Sequence, residues 1–313
     1  MSTTAAPPAA PSVSARSLLP SVLLATVLLG GLALLTLQTM ATGGGGSVSV
    51  TAASPLIEAA FAGDAQGVRA ALANKADPNV RLVTDDPARR SMTPLMAAAM
   101  SGKVEAVRAL LEAKASVDAR DDHGRTPLMY AAGWGDGACV QALLNAGANV
   151  NARADQGWTA LMLAAARGTR DALGALITAG ADVSMRTKYQ QTALMVASRC
   201  GDADKIGALL NAGASVSDTD RDGNTPLLMA VDTDRGESVV VQLLGAKAPV
   251  NVADSDGMTP LMRAASRGDA GLVRILLDAG ADKAAKDARG WTALQWGLNR
   301  ADEAGNAVSQ LLR

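Results

Sequence analysis

Aromatic residues are scarce in this chain: four Trp, two Tyr and one Phe among 313 residues. Cys139 and Cys200 are the only cysteines, and His123 is the only histidine. Two cysteines make neither a disulfide framework nor a zinc frame. Nucleophilic catalysis needs a nucleophile, a base and an orienting group within reach of one another, and so few His and Cys remove most such arrangements. Net charge is lacking too, at a formal −1. Nucleic-acid partners call for a basic patch, so the balance argues against them and against anionic membrane surfaces. The Gly43 to Gly46 run has no strand before it and no lysine within it, so it is no phosphate loop. The expectation is a chain with no enzyme activity, no cofactor, no metal and no small-molecule substrate.

What is abundant is small and apolar. Hydrophobic residues make up 49% of the chain, and alanine and glycine dominate. Side chains without bulk let helix backbones approach closely. The Ala- and Gly-rich usage also hints at a bacterial source.

Residues 17–57 carry no charged side chain, and Leu18 to Met40 is almost wholly apolar. At about 1.5 Å per residue this stretch gives roughly 34 Å of helix, against about 30 Å of bilayer hydrocarbon. The spacing predicts a transmembrane signal-anchor at residues 18–40. It follows a short cytoplasmic tail at 1–17 and precedes a flexible Gly-rich linker at 41–53. Arg16 lies before the span, and no Lys or Arg follows it until Arg69. That asymmetry places the N-terminus in the cytoplasm and exports residues 54–313, into the periplasm if the source is bacterial. The alternative is a long signal peptide cut near Met40–Ala41, which leaves a soluble exported protein.

From Ser54 onward one phrase returns: SPLIEAA, then TPLMAAA at Thr93, TPLMYAA at Thr126, TALMLAA at Thr159 and TALMVAS at Thr192. TPLLMAV at Thr225, TPLMRAA at Thr259 and TALQWGL at Thr292 complete the series. The steps from Thr93 are 33, 33, 33, 33, 34 and 33 residues, and the first step, from Ser54, is 39. Period and phrase resemble the ankyrin repeat family, over residues 54–313. The resemblance implies an all-α solenoid of about eight helix-turn-helix units with hairpin-like loops. It also implies a partner-binding surface along the concave face. Physically, Thr supplies an N-cap oxygen and Pro suits the first helical turn. Glycine ends most of the helices, and no unit can bury its apolar face without a neighbour.

Several positions depart from the family pattern. The family's histidine after T-P-L is replaced by Ile57, Met96, Met129, Met162, Met195, Leu228, Met262 and Gln295. Packing must then replace a polar network between loops. The Met row also raises a second reading, an exported protective factor that meets oxidants with Met and Cys side chains. Lys75, Lys114 and Lys247 stand where glycine ends the second helix elsewhere, so those corners should be looser or differently shaped. Residues 81–92 carry an insertion, and one extra residue lies near Asp234 to Glu237. Cys139 reads as core packing, Cys200 as more exposed, and both as free thiols.

In the family, contacts concentrate on turn tips and on the exposed ends of the first helices. Carried over by position, and weighted to residue types enriched at hot spots, this places the interface centre at Tyr130, Trp134, Trp158, Arg167, Tyr189 and Arg199. The expected function is a non-catalytic scaffold, tethered to a membrane through residues 18–40, that binds another protein.

Overall fold

The structure, a computed structural model, describes residues 54–313 apart from Arg235. Its helices come in eight pairs. They are α1 Pro55–Ala62 and α2 Ala65–Ala73, α3 Pro94–Ser101 and α4 Val104–Glu112, α5 Pro127–Trp134 and α6 Gly137–Asn145, α7 Ala160–Ala166 and α8 Arg170–Thr178. Then follow α9 Ala193–Cys200 and α10 Ala203–Asn211, α11 Pro226–Val231 and α12 Gly236–Gly245, α13 Pro260–Arg267 and α14 Ala270–Asp278, α15 Ala293–Leu298 and α16 Glu303–Leu312. Each first helix packs on the first helices of the adjoining repeats, and each second helix on the adjoining second helices. This is a solenoid, and the described residues contain no strand.

The sequence explains why the unit forms. Thr126 Oγ1 accepts from the Met129 amide at 3.4 Å, and Pro127 follows at the first helical position. The same cap recurs at Thr93, Thr159, Thr192, Thr225 and Thr259. Aspartate caps most second helices, at Asp64, Asp136, Asp202, Asp269 and Asp302. First helices lie between neighbours and are buried nearly all round, as in Pro94 to Ala99. Second helices bury one stripe only, such as Val140 and Leu143 in α6. This is why the first helices are mostly apolar, while the second keep charged residues on their outer faces.

Two glycines do something other than reverse the chain. Gly135 and Gly168 end α5 and α7, and a Cβ on either would drive into the Ala99 or Ala132 carbonyl of the preceding repeat. Close backbone approach demands glycine there. At the ends of the second helices, by contrast, Lys75, Lys114 and Lys247 take φ of 63°, 64° and 63°. Gly147 has φ 86° at the equivalent corner. The lysine corners are therefore left-handed like the glycine corners, at a smaller φ.

The expected membrane anchor is also corrected. No helix among the described residues is long and apolar enough to cross a membrane. The expected tail, span and linker, residues 1–17, 18–40 and 41–53, lie outside the described residues. Among the described residues the fold is the all-α solenoid, with no membrane-spanning helix. The tethered function, the membrane as partner and the single-pass localisation are corrected with it.

Candidate interaction face

The hairpin loops are tied edge to edge by main-chain bonds. Asp155 N–H donates to the His123 carbonyl at 2.9 Å, Lys188 to Gln156 at 2.7 Å and Arg221 to Tyr189 at 3.0 Å. Ser255 to Asp222 and Ala288 to Asp256 continue the ladder at 2.8 and 3.0 Å. An arginine ladder runs beside it. Arg81 donates to the Arg120 carbonyl at 2.8 Å, Arg120 to Arg153 at 2.9 Å and Arg153 to Arg186 at 2.8 Å. A third set links Asn79 to Ser116, Asp118 to Asn149, Asn151 to Asp182 and Asn251 to Asp282. These bonds supply polar ties between repeats that lack the family's histidine. The sequence held the signal in Arg120, Arg153 and Arg186, which recur at 33-residue steps.

A second rule couples each hairpin to its own first helix. Asp121 is fully buried. It accepts from the His123 and Arg125 amides at Oδ1, and from Arg125 Nε and Tyr130 Oη at Oδ2, the last two at 2.7 Å. Asp254 meets Arg263, and Asp287 accepts from Trp296 Nε1 at 3.0 Å, at the same two places in their repeats. Where Ala154 or Thr187 takes the aspartate's place, the helix partner is apolar, Leu163 or Val196. At Asp220 the helix offers Met229, and Asn224 Nδ2 contacts both carboxylate oxygens instead.

The structure gathers three of the six expected site residues. The Tyr130 and Trp134 rings lie 5.7 Å apart by centroid, and the Arg167 guanidinium sits 5.2 Å over the Trp134 ring. Tyr130 is buried, with 2% of its surface exposed, and burial pushes its hydroxyl far above the ordinary range. Trp134 and Arg167 are half-buried at the end of the first helices. Arg199, also half-buried, lies near the end of the first helix of the next repeat. Trp158 and Tyr189 belong to the hairpin loops instead. Trp158 is half-buried against the core, and Tyr189 is 40% exposed with Arg221 5.9 Å from its ring centroid.

Beside Cys200 lies an open hollow of about 440 Å³, lined by Arg167, Cys200, Asp202, Asp204 and Lys205 among others. Lys205 Nζ pairs with Asp202 at 3.2 Å and donates to the Ala165 carbonyl at 3.4 Å. Burial raises the Cys200 thiol's pKa, although Arg199, Lys205 and Arg167 oppose it. Burial also pushes the Cys139 thiol up to about 12. Thiols held protonated are poor nucleophiles.

The oxidant-protection reading is corrected here. Met96, Met129, Met162, Met195 and Met262 are each no more than 1% exposed, and Cys139 is fully buried. Oxidation follows exposure and thiolate character, and these groups have neither. Among the described residues no group of three or more His, Cys, Asp or Glu could hold a metal ion.

Comparison with known proteins agrees with this geometry. Family models described as ankyrin repeats match residues 56–154, 135–220, 161–244 and 243–295. The crystal structure of the ankyrin repeat domain of Bcl-3, a unique member of the IkappaB protein family, is similar at 30% identity. That match has a TM-score of 0.60 and covers 71% of this chain and 98% of the other. No curated protein matches. Ankyrin repeat domains are non-catalytic scaffolds. With matches running through most of its repeat units, the chain belongs to the ankyrin repeat family.

Proposed function

We propose that the chain is an interaction scaffold. It binds a partner protein through the first-helix ends and loop tips of repeats three to five. The observation that carries this is the Tyr130–Trp134–Arg167 stack. Tyr, Trp and Arg are the types that dominate interface hot spots. Here they are held in place before any partner arrives: Tyr130 by its bond to Asp121, and Trp134 between Tyr130 and Arg167. A rigid surface loses little ordering entropy on binding. Arg199, in the next repeat, and Trp158 and Tyr189, on the hairpin loops, complete the proposed surface. A bacterial source is supported only by the Ala- and Gly-rich composition.

The test is crosslinking of the full chain in cells, identification of the captured protein, and titration of that protein against wild type and Trp134→Ala/Arg167→Ala. Loss of two hot-spot side chains should weaken binding by roughly 30-fold or more. Unchanged affinity, with unchanged helicity, would show that the interface lies elsewhere.

A further inference from the structure

A second surface, apart from the first-helix ends, is carried by the hairpin edge. Arg81, Arg120, Arg153 and Arg186 occupy one place in four consecutive units, 39, 33 and 33 residues apart. Later units carry Thr219, Ala253 and Lys286 at that place, so the run is confined to the first half of the stack. Each of the first three reaches one unit along. A terminal nitrogen of Arg81 donates to the Arg120 carbonyl at 2.8 Å, of Arg120 to Arg153 at 2.9 Å and of Arg153 to Arg186 at 2.8 Å. The guanidiniums therefore follow one another at the repeat spacing, about 8–10 Å.

Those bonds orient the guanidiniums and neutralise none of them. Arg81, Arg120 and Arg153 are exposed, and among the described residues no carboxylate lies in ion-pair reach of any of the three. The fourth differs: Arg186 pairs with Asp218 at 2.8 Å, which closes the run. Asp118 and Asp155 stand two residues from Arg120 and Arg153, but they face other groups. Asp118 accepts from the Asn149 amide at 3.0 Å, and Asp155 lies 4.0 Å from His123 Nδ1. A guanidinium has five donors, so one that gives a single bond to a carbonyl keeps others for a second acceptor. The result is three evenly spaced cations, already fixed in direction, on an exposed edge.

We propose that this run takes an extended acidic segment of a protein, with Asp or Glu at every third residue. A polyproline II chain rises about 3.1 Å per residue with three residues per turn, so residues i, i+3 and i+6 share one face at intervals of about 9 Å. That interval matches the stack and sets one carboxylate on each of Arg81, Arg120 and Arg153. A β-strand fails the match, since its residues three apart point to opposite faces. Nucleic acid fails it by charge density. A strand carries a phosphate about every 3.4 Å, and the surplus would meet the exposed carboxylates of Asp118, Asp122 and Asp155. Those carboxylates admit a spaced acid and reject a dense polyanion. Ion pairs at an exposed edge are usually weak because two long side chains must be ordered. Here the arginines are held by carbonyls beforehand, so the ordering falls mostly on the partner.

The experiment is fluorescence-anisotropy titration of the full chain with labelled synthetic peptides in a proline-rich frame. One peptide carries three Glu at every third residue, a second has the same three Glu side by side, and a third has Gln for Glu. A helical peptide with Glu at every seventh residue, about 10.5 Å apart, and a single-stranded oligonucleotide complete the set. The spaced peptide should bind about tenfold or more tighter than the adjacent one, whose net charge is the same, and the Gln peptide should lose binding. Arg120→Ala should weaken the spaced peptide about threefold and the adjacent one less. The comparison of peptides on the wild-type chain needs no variant, so it reads even if Arg120→Ala fails to fold. Equal binding of the two Glu peptides overturns the proposal. Tighter binding of the helical peptide overturns the extended form, and tighter binding of the oligonucleotide overturns the protein partner. Absence of binding overturns the whole. None of these results bears on the Tyr130–Trp134–Arg167 stack, which the captured partner tests separately.

Discussion

Replacing Asp121 by alanine tests the link between hairpin and helix. Its carboxylate is fully buried and receives two amides, one guanidinium nitrogen and one phenol. Asp121→Ala leaves Arg125, with a side chain only 19% exposed, facing Tyr130 without its counter-ion. Breaking a buried pair by removing one partner costs about 3–5 kcal/mol. Tyr130→Leu alone removes a hydrogen bond to a charged group and part of an aromatic stack, about 2–3 kcal/mol. The adjoining repeat shows how both can go together, since Ala154 and Leu163 occupy these two places there. Asp121→Ala/Tyr130→Leu should therefore cost less than the two changes summed, with a coupling of about 1.5 kcal/mol or more. Urea unfolding gives the totals. Hydrogen exchange in α5 and α6 should show the loss concentrated in repeat three, because stability in a stack is a sum of local terms. A cost below about 1 kcal/mol for Asp121→Ala, or strict additivity, would refute the coupling.

Three further outcomes follow from particular residues. Lys103 opens α4 with φ −98° and ψ 95° and gives it no side-chain cap, while Asp202 opens α10 at −99° and 94° and does. Lys103→Asp should stabilise by about 1 kcal/mol, read as a higher urea midpoint. Replacing Lys75, Lys114 or Lys247 by glycine relieves a left-handed backbone, and part of the gain is lost to the greater freedom of the unfolded chain. Each should stabilise by about 0.5–1 kcal/mol, and a fall in midpoint would contradict that. The Cys139 thiol, ordinarily at 9.0, is raised to about 12, chiefly by burial. A raised acid favours the folded state below the unfolded pKa and loses that contribution as pH climbs through the folded one. Stability should thus decline between roughly pH 9 and 12, by about 2 kcal/mol at about pH 10.5 from this group. Cys139→Ala should flatten that slope, and an unchanged slope between pH 7 and about 10.5 would count against the assignment.

The repeat architecture was legible because its signals are local and redundant. Pro or Ala after the cap appears in all eight units, Thr at the cap in seven and paired alanines in five, all in register, so a weak preference at one place is reinforced at the others. A lysine's own preference argues against the left-handed turn at Lys114, φ 64°, which follows instead from the register of the repeat, since Gly147 stands at the same place one unit on. The membrane span rested on composition alone, with no repeat to check it against. At the interface the sequence located Trp134 and Arg167 but not the contact between them. They sit 33 residues apart, one repeat step, and that periodicity alone would have put them side by side.

The least legible residues are those whose meaning lies in a pair. Tyr130 was singled out as a contact residue by type, and the structure places its hydroxyl on Asp121 with 2% of its surface exposed. The pairing was nevertheless written in the chain. The residue five before the repeat's threonine and the residue four after it vary together: aspartate with Tyr130, Arg263 or Trp296, and alanine or threonine with Leu163 or Val196. A buried carboxylate is tolerated where donors saturate it, and an apolar side chain is tolerated where no carboxylate needs one. Asp220 follows the same logic by another route, since Asn224 supplies the donor that Met229 cannot.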